Sequence, residues 1–177
     1  MGARSTGREA ALQMLFALEQ GTSSAERVIM HYWRLTPGDP EGREYADRIV
    51  RGVEKDLTKV DETIRKASVN WRLERMARVD RNVLRLGAWE LMNGGDVPRA
   101  VILDEAVELA KRFGSEDSSA FVNGVLDRVA EDLGRVDRDR AAASKQADVS
   151  KGAGKRDGGG GGGGGGHRPV KRGARRP

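Results

Sequence analysis

The chain's 177 residues are enough for one domain with a real core, and the absence of Cys excludes disulfides, thiolate zinc sites and Cys nucleophiles. The net charge of +5 divides unevenly: residues 134–177 hold 12 Lys and Arg against 4 Asp and Glu, while the first 133 residues hold 20 against 23. The basic pI therefore belongs to the C-terminal segment and says little about the part able to pack. The two histidines, His31 and His167, lie far apart in the chain, which argues against a His-based metal site. No apolar run approaches the ~20 residues of a membrane-spanning helix, and MGARSTGREA lacks an apolar signal core. A soluble, cytoplasmic protein with no membrane partner is expected.

In chain order, Thr6-Gly7-Arg8-Glu9 reads as a capping box. Behind it Ala11, Leu12, Leu15, Phe16 and Leu18 recur at helical spacing. Ser23 to Glu26 reads as a second capping box, followed by Val28, Ile29, Tyr32 and Trp33. The stretch TPGDPEG (36–42) breaks that helix. Asp39 then caps the next, with Pro40 in its first turn, where a missing N–H costs nothing. Tyr45, Ile49, Val53 and Leu57 follow at four-residue steps, and Thr58 is the cap expected for a helix lined by Val60, Ile64 and Ala67. Residues 71–76 read as a connector.

From Val79 the stripe resumes through Val83, Leu84, Ala88 and Leu91, and Asn93-Gly94-Gly95 ends it. Pro98 opens a helix lined by Val101, Ile102, Ala106, Leu109, Ala110 and Phe113. Lys111 and Arg112 suit its C-terminal dipole, and Gly114 is the left-handed cap expected there. Ser115 should cap the last helix, with Glu116 and Asp117 in its first turn. No segment alternates with period two for the length of a strand. The pattern predicts an all-α fold of six or seven helices: a flexible basic N-terminus (1–5), a helical domain (6–133) with a seam at 71–76 between halves 6–72 and 73–133, and a tail (134–177). The tail contains nine consecutive Gly (158–166) and cannot offset its ordering entropy by apolar burial, so disorder is expected.

The carboxylate pairs Asp104/Glu105 and Glu116/Asp117 are adjacent residues, which do not face each other on a helix and make poor acid–base dyads. The glycine run lacks the Gly-Lys-Ser/Thr ending and flanking strand of a phosphate loop. The residues argue against an enzyme, and no cofactor is expected. Binding is the alternative. At about 100° per residue, the last helix places Phe121 at the edge of the stripe formed by Val122, Val125, Leu126, Val129 and Leu133. Asp117, Gly124 and Arg128 lie on the same flank, and Asn123 points away. Two readings stay open. Phe121 is a core residue and Gly124 lets another helix pack close, or the flank is an aromatic platform for an unstacked RNA base. At the other end, Arg4 and Arg8 flank the first helix start, a position suited to phosphate.

Several blocks together resemble one family, that of the NusB transcription antitermination factors. They are Arg8-Glu9-Ala10 with Leu12-Gln13 and Leu15-Phe16, DRNVLRLGAWEL (80–91), VPRAVILDEAVELAKRFG (97–114) and FVNGVLD (121–127), in order over about residues 4–133. The resemblance implies two small packed helical bundles. It implies binding of boxA RNA from nascent ribosomal RNA leaders, together with NusE, a small-subunit ribosomal protein, so that RNA polymerase resists termination. Position by position it implies RNA contacts at Arg4, Arg8, Gln13, Phe16, Asp117, Phe121 and Asn123, and NusE contacts at Glu74 and Asp80. Glu105 is read as structural, holding a neighbouring helix end. There are departures: Ser5, Thr6 and Gly7 interrupt the usual N-terminal Arg cluster, Asp104 stands where Asn is common, Trp89 replaces a Tyr, and the basic tail is not a family feature. That tail is read as a solubilising appendage, with phosphate contacts through counterion release as the alternative. Rival readings are a domain related to those preceding ribosomal RNA methyltransferases and a helical adaptor that binds protein only. A homodimer through the NusE-facing surface also stays open.

Overall fold

The computed structural model describes residues 2–135. Among them are seven α-helices, one 3-10 turn and no strand: α1 (Ala3–Gln20), α2 (Ala25–Leu35), α3 (Pro40–Lys55), α4 (Leu57–Ala67), the 3-10 turn Leu73–Arg75, α5 (Arg78–Asn93), α6 (Arg99–Phe113) and α7 (Ser118–Asp132). The all-α class is as the sequence predicts; the tail beyond Arg135 lies outside the described residues.

Helices α1, α2 and α3 pack together, and α4 to α7 form a second group. Helix α5 is central, touching α1 and α3 on one side and α4, α6 and α7 on the other. Helix α4 precedes the connector, yet packs chiefly on α5 and α7. The chain therefore crosses between groups at Asp56, where α3 ends and α4 begins, not at the expected seam of 71–76. The predicted stripes meet in one continuous core that includes Met14, Leu15, Ile49, Val53, Ile64, Leu84, Leu91, Ile102, Val122 and Leu126. Each large aliphatic side chain moved out of water stabilises by about 1.5–3 kcal/mol.

Helix ends separate local from tertiary causes. Asp39 accepts from Gly42 N–H at 2.8 Å with Pro40 in the first helical position, as predicted. Thr6 is not a cap. Helix α1 begins at Ala3, and the Thr6 hydroxyl donates to Ala3 O at 2.9 Å, so residues 3–5 are helical rather than a flexible arm. The extra turn is held from outside: Ser5 Oγ donates to Glu105 at 2.7 Å and Arg4 pairs with Asp96 at 3.2 Å. Helix α2 starts after Ser24, which makes no side-chain cap, and Glu54 of α3 accepts from Ala25 N–H at 2.8 Å instead. Thr58 lies inside α4, which Asp56 precedes. At α7 the expected cap is reversed: Ser118 Oγ accepts from Ser115 N–H at 2.8 Å.

Gly114 has φ −95° and is not left-handed. The one positive-φ residue among those described is Gly134, at 65°. There Gly134 N–H reaches Glu131 O and Arg135 N–H reaches Ala130 O, both at 2.9 Å, which is the Schellman pattern. The Arg135 guanidinium then donates to Gly94 O and Val97 O, so the fold extends two residues past the predicted boundary. The Trp89 departure has a matching partner: a Cβ on Gly52 would lie 2.1 Å from the indole, whose Nε1 donates to Asp56 at 3.3 Å.

Candidate nucleic-acid interface

The start of α1 carries two arginines with opposite fates. Arg4 is exposed, with its guanidinium 5.3 Å from the Tyr45 ring centroid. Arg8 is 2% exposed and donates to both oxygens of buried Glu90 at 2.9 Å and to Tyr45 Oη at 2.9 Å. The Tyr45 hydroxyl in turn donates to Glu90. Burial alone would lower the Arg8 pKa, but the Glu90 hydrogen bond and charge outweigh it and hold the guanidinium above its ordinary value. Burial, with the Glu90 carboxylate beside it, pushes the Tyr45 phenol up. The expectation that Arg8 contacts RNA is therefore corrected. Its fork is occupied inside the protein, and it fixes the helix that displays Arg4. Glu105 acts as expected on the same end, taking Ser5 and standing 3.8 Å from Arg8.

Further along α1, Gln13 is exposed and accepts from the Tyr32 hydroxyl at 3.2 Å. Phe16 is half-buried, with the Arg78 guanidinium 5.6 Å from its centroid. Twelve residues of helix separate Arg4 from Phe16, roughly 18 Å along the axis, so these residues line one helix without forming one cluster.

Helix α7 presents the other set. Val122, Val125, Leu126 and Val129 are buried, while Phe121 is half-buried at their edge. Asp117, Asn123, Gly124 and Arg128 are exposed. A Cβ built on Gly124 would meet nothing within 4 Å. Close helix packing thus does not explain that glycine, while Phe121 does pack against the core, as the other half of that reading has it. The Phe121 ring meets Trp71 edge-on, with centroids 5.9 Å apart. Sequence reasoning passed over Trp71 as part of a connector; an aromatic in a short charged loop was the signal available.

Of the carboxylates expected to face a protein partner, Glu74 is exposed and pairs with Arg65 at 2.7 Å, whose hydrogen bond holds it below the usual carboxylate range. Asp80 is 7% exposed. Its Oδ1 is buried and has no hydrogen-bond partner among the described residues. It lies in the first turn of α5, where the helix dipole favours a carboxylate, and it does not offer the open surface expected of a partner contact. No group of His, Asp and Glu able to hold a metal occurs among the described residues, and none of their helices is long and apolar enough to cross a membrane.

Residues 5–131 match the model of the NusB family. The chain belongs to that family. It is 81% identical over 140 residues to the transcription antitermination protein NusB of Sorangium cellulosum, covering 79% of this chain and all of that one. It is 50% identical over 134 residues to the NusB of Myxococcus xanthus, covering 73% and 96%. Among solved structures, T. maritima NusB superposes with a TM-score of 0.64 at 38% identity, over 72% of this chain and 90% of that one. A structure of NusB and NusE in complex with double-stranded RNA has a TM-score of 0.67 at 24% identity, over 73% and 96%, a likeness of fold. As a NusB family member the chain is an antitermination factor and not an enzyme. The matched relatives are antitermination proteins along nearly their whole length, which removes the methyltransferase-related reading.

Proposed function

We propose that this protein binds the boxA element of nascent ribosomal RNA together with NusE, in the cytoplasm, and so helps RNA polymerase resist termination. The observation that carries the reading is the open flank of α7. Phe121 is propped at the edge of the core, Asp117 lies one turn before it, and Gly124 bares its backbone to solvent. An exposed aromatic edge with a neighbouring acceptor suits an unstacked base, which single-stranded RNA supplies and a duplex withholds. Arg4 is the phosphate contact on the α1 side, with Gln13 and Phe16 on the same helix; Asn123, on the far face of α7, is a weaker member of the set. Glu74 is the carboxylate available to NusE. One structural relative, alike in fold alone, is solved with NusE and double-stranded RNA.

Titration of a single-stranded boxA RNA, with and without NusE, tests this. Phe121→Ala should weaken RNA binding by about 1–3 kcal/mol, the range for loss of one base–aromatic stack, and leave NusE binding unchanged. Equal RNA affinity in wild type and variant would remove Phe121 from the site. Absence of RNA binding even with NusE would defeat the function itself. Loss of self-association in the variant, with RNA binding intact, would assign the flank to a homodimer.

A further inference from the structure

Trp71 stands between α4 and the 3-10 turn with 64% of its surface exposed. An indole left in water forgoes a large apolar gain, yet the backbone that carries this one is held in place. The Trp71 backbone N–H donates to Ser68 O at 2.9 Å, and the buried Ser68 hydroxyl lies 2.9 Å from Ile64 O and 3.2 Å from the Trp71 backbone O. Its ring plane stands 74° from that of Phe121. Two nearly perpendicular aromatic planes make a corner, so a flat base stacked on one ring turns its edge to the other. The charge of the connector favours a polyanion: residues 65–78 contain Arg65, Lys66, Arg72, Arg75 and Arg78 against Glu74, and with Arg65 paired to Glu74 and Arg78 to Glu19, Lys66, Arg72 and Arg75 remain in excess.

We infer that Trp71 and Phe121 form a two-sided corner that captures one unstacked base of single-stranded RNA, with Trp71 as the stacking face and the basic connector as the rim for its phosphates. The inference rests on the RNA-binding reading above and adds a residue from outside α7 to it. Stacking needs a free face, and the exposed indole has one. Phe121, half-covered by the core, sets the orientation of the pair.

The full chain, titrated with single-stranded boxA RNA, tests it through Trp71→Ala and Trp71→Phe. Both should keep the wild-type melting temperature, since the side chain is exposed. Trp71→Ala should weaken binding roughly 5- to 150-fold, the span of one lost base stack, and Trp71→Phe should recover most of it. RNA should quench wild-type tryptophan emission and leave that of Trp71→Phe, which keeps Trp33 and Trp89, unchanged. One abasic position in the RNA should cost wild type affinity and cost Trp71→Ala none, the coupling expected of a direct contact. If Phe121→Ala weakens binding while Trp71→Ala matches wild type, the corner is wrong and the RNA reading stands. If wild type binds no RNA, both fail. If Trp71→Ala keeps RNA and loses NusE or self-association, the indole belongs to a protein interface and the inference is overturned.

Discussion

Arg4 and Arg8 are one helical turn apart and look alike in sequence, yet their environments give them opposite functions. Arg8 sits in a closed set with Glu90 and Tyr45, all buried. Removing one partner of such a pair strands the other charge, so Glu90→Gln should destabilise the fold by about 3–5 kcal/mol in denaturant titrations. Arg4 shares an exposed pair with Asp96, which contributes only about 0–1 kcal/mol. Arg4→Ala should leave the denaturation midpoint nearly unchanged. If Arg4 holds a phosphate, the same variant should reduce the salt slope of RNA binding by about 1. An Arg4→Ala protein with the wild-type slope would take Arg4 out of the interface.

At the scale of the helix, glycine has two distinct uses here. Gly52 of α3 lies under the Trp89 indole, where an added Cβ would be 2.1 Å from the ring. Gly52→Ala should cost about 1–3 kcal/mol, as overpacking does. Gly124 of α7 faces open space, so Gly124→Ala should raise stability by about 1 kcal/mol from helix propensity alone. Paired thermal melts read both signs. A Gly124→Ala variant that is destabilised would mean that the flank is covered by something in solution. RNA affinity of the same variant reports separately whether the bare backbone is a contact. Because Gly124 lies off the apolar stripe, the glycine costs helix propensity without removing any core packing.

At the scale of the molecule, one polar junction ties the two helical groups together. Glu19 at the end of α1 accepts from Arg81, Asn82 and Arg85 of α5, and Arg85 forks onto Asp61 of α4 at 2.8 and 2.9 Å. Burial would raise the Glu19 pKa, but the hydrogen bonds from Arg81 and Asn82 outweigh it and hold the carboxyl below its ordinary 4.5. A depressed folded-state pKa contributes stability that is fully present above the unfolded value and is lost as pH falls through the folded one. Glu19→Gln should therefore be less stable than wild type at neutral pH, with the gap closing as pH drops below about 4.5. Urea midpoints measured across that range check the sign; a gap that widens in acid would place the acid sensitivity elsewhere.

The helices and their inward faces were legible in the sequence because they follow from local periodicity. Tyr45, Ile49 and Val53 in α3, or Val122, Val125 and Val129 in α7, need no distant partner to declare a face. The Asp39-Pro40 start was legible for the same reason, since a cap and its N–H lie three residues apart. The family's motifs were legible too, in strings such as FVNGVLD. The tertiary structure alone decided which arginine reaches solvent, because Arg8 and Glu90 are 82 positions apart. It decided the true starts of α1 and α2, which Glu105 and Glu54 set from other helices. It placed α4 with the second group, and it brought Trp71 to Phe121 across an intervening pair of helices. Pairings of that kind depend on how faces are stacked after the helices form. A helical pattern specifies which face turns inward, and carries no mark of which side chain will meet it there.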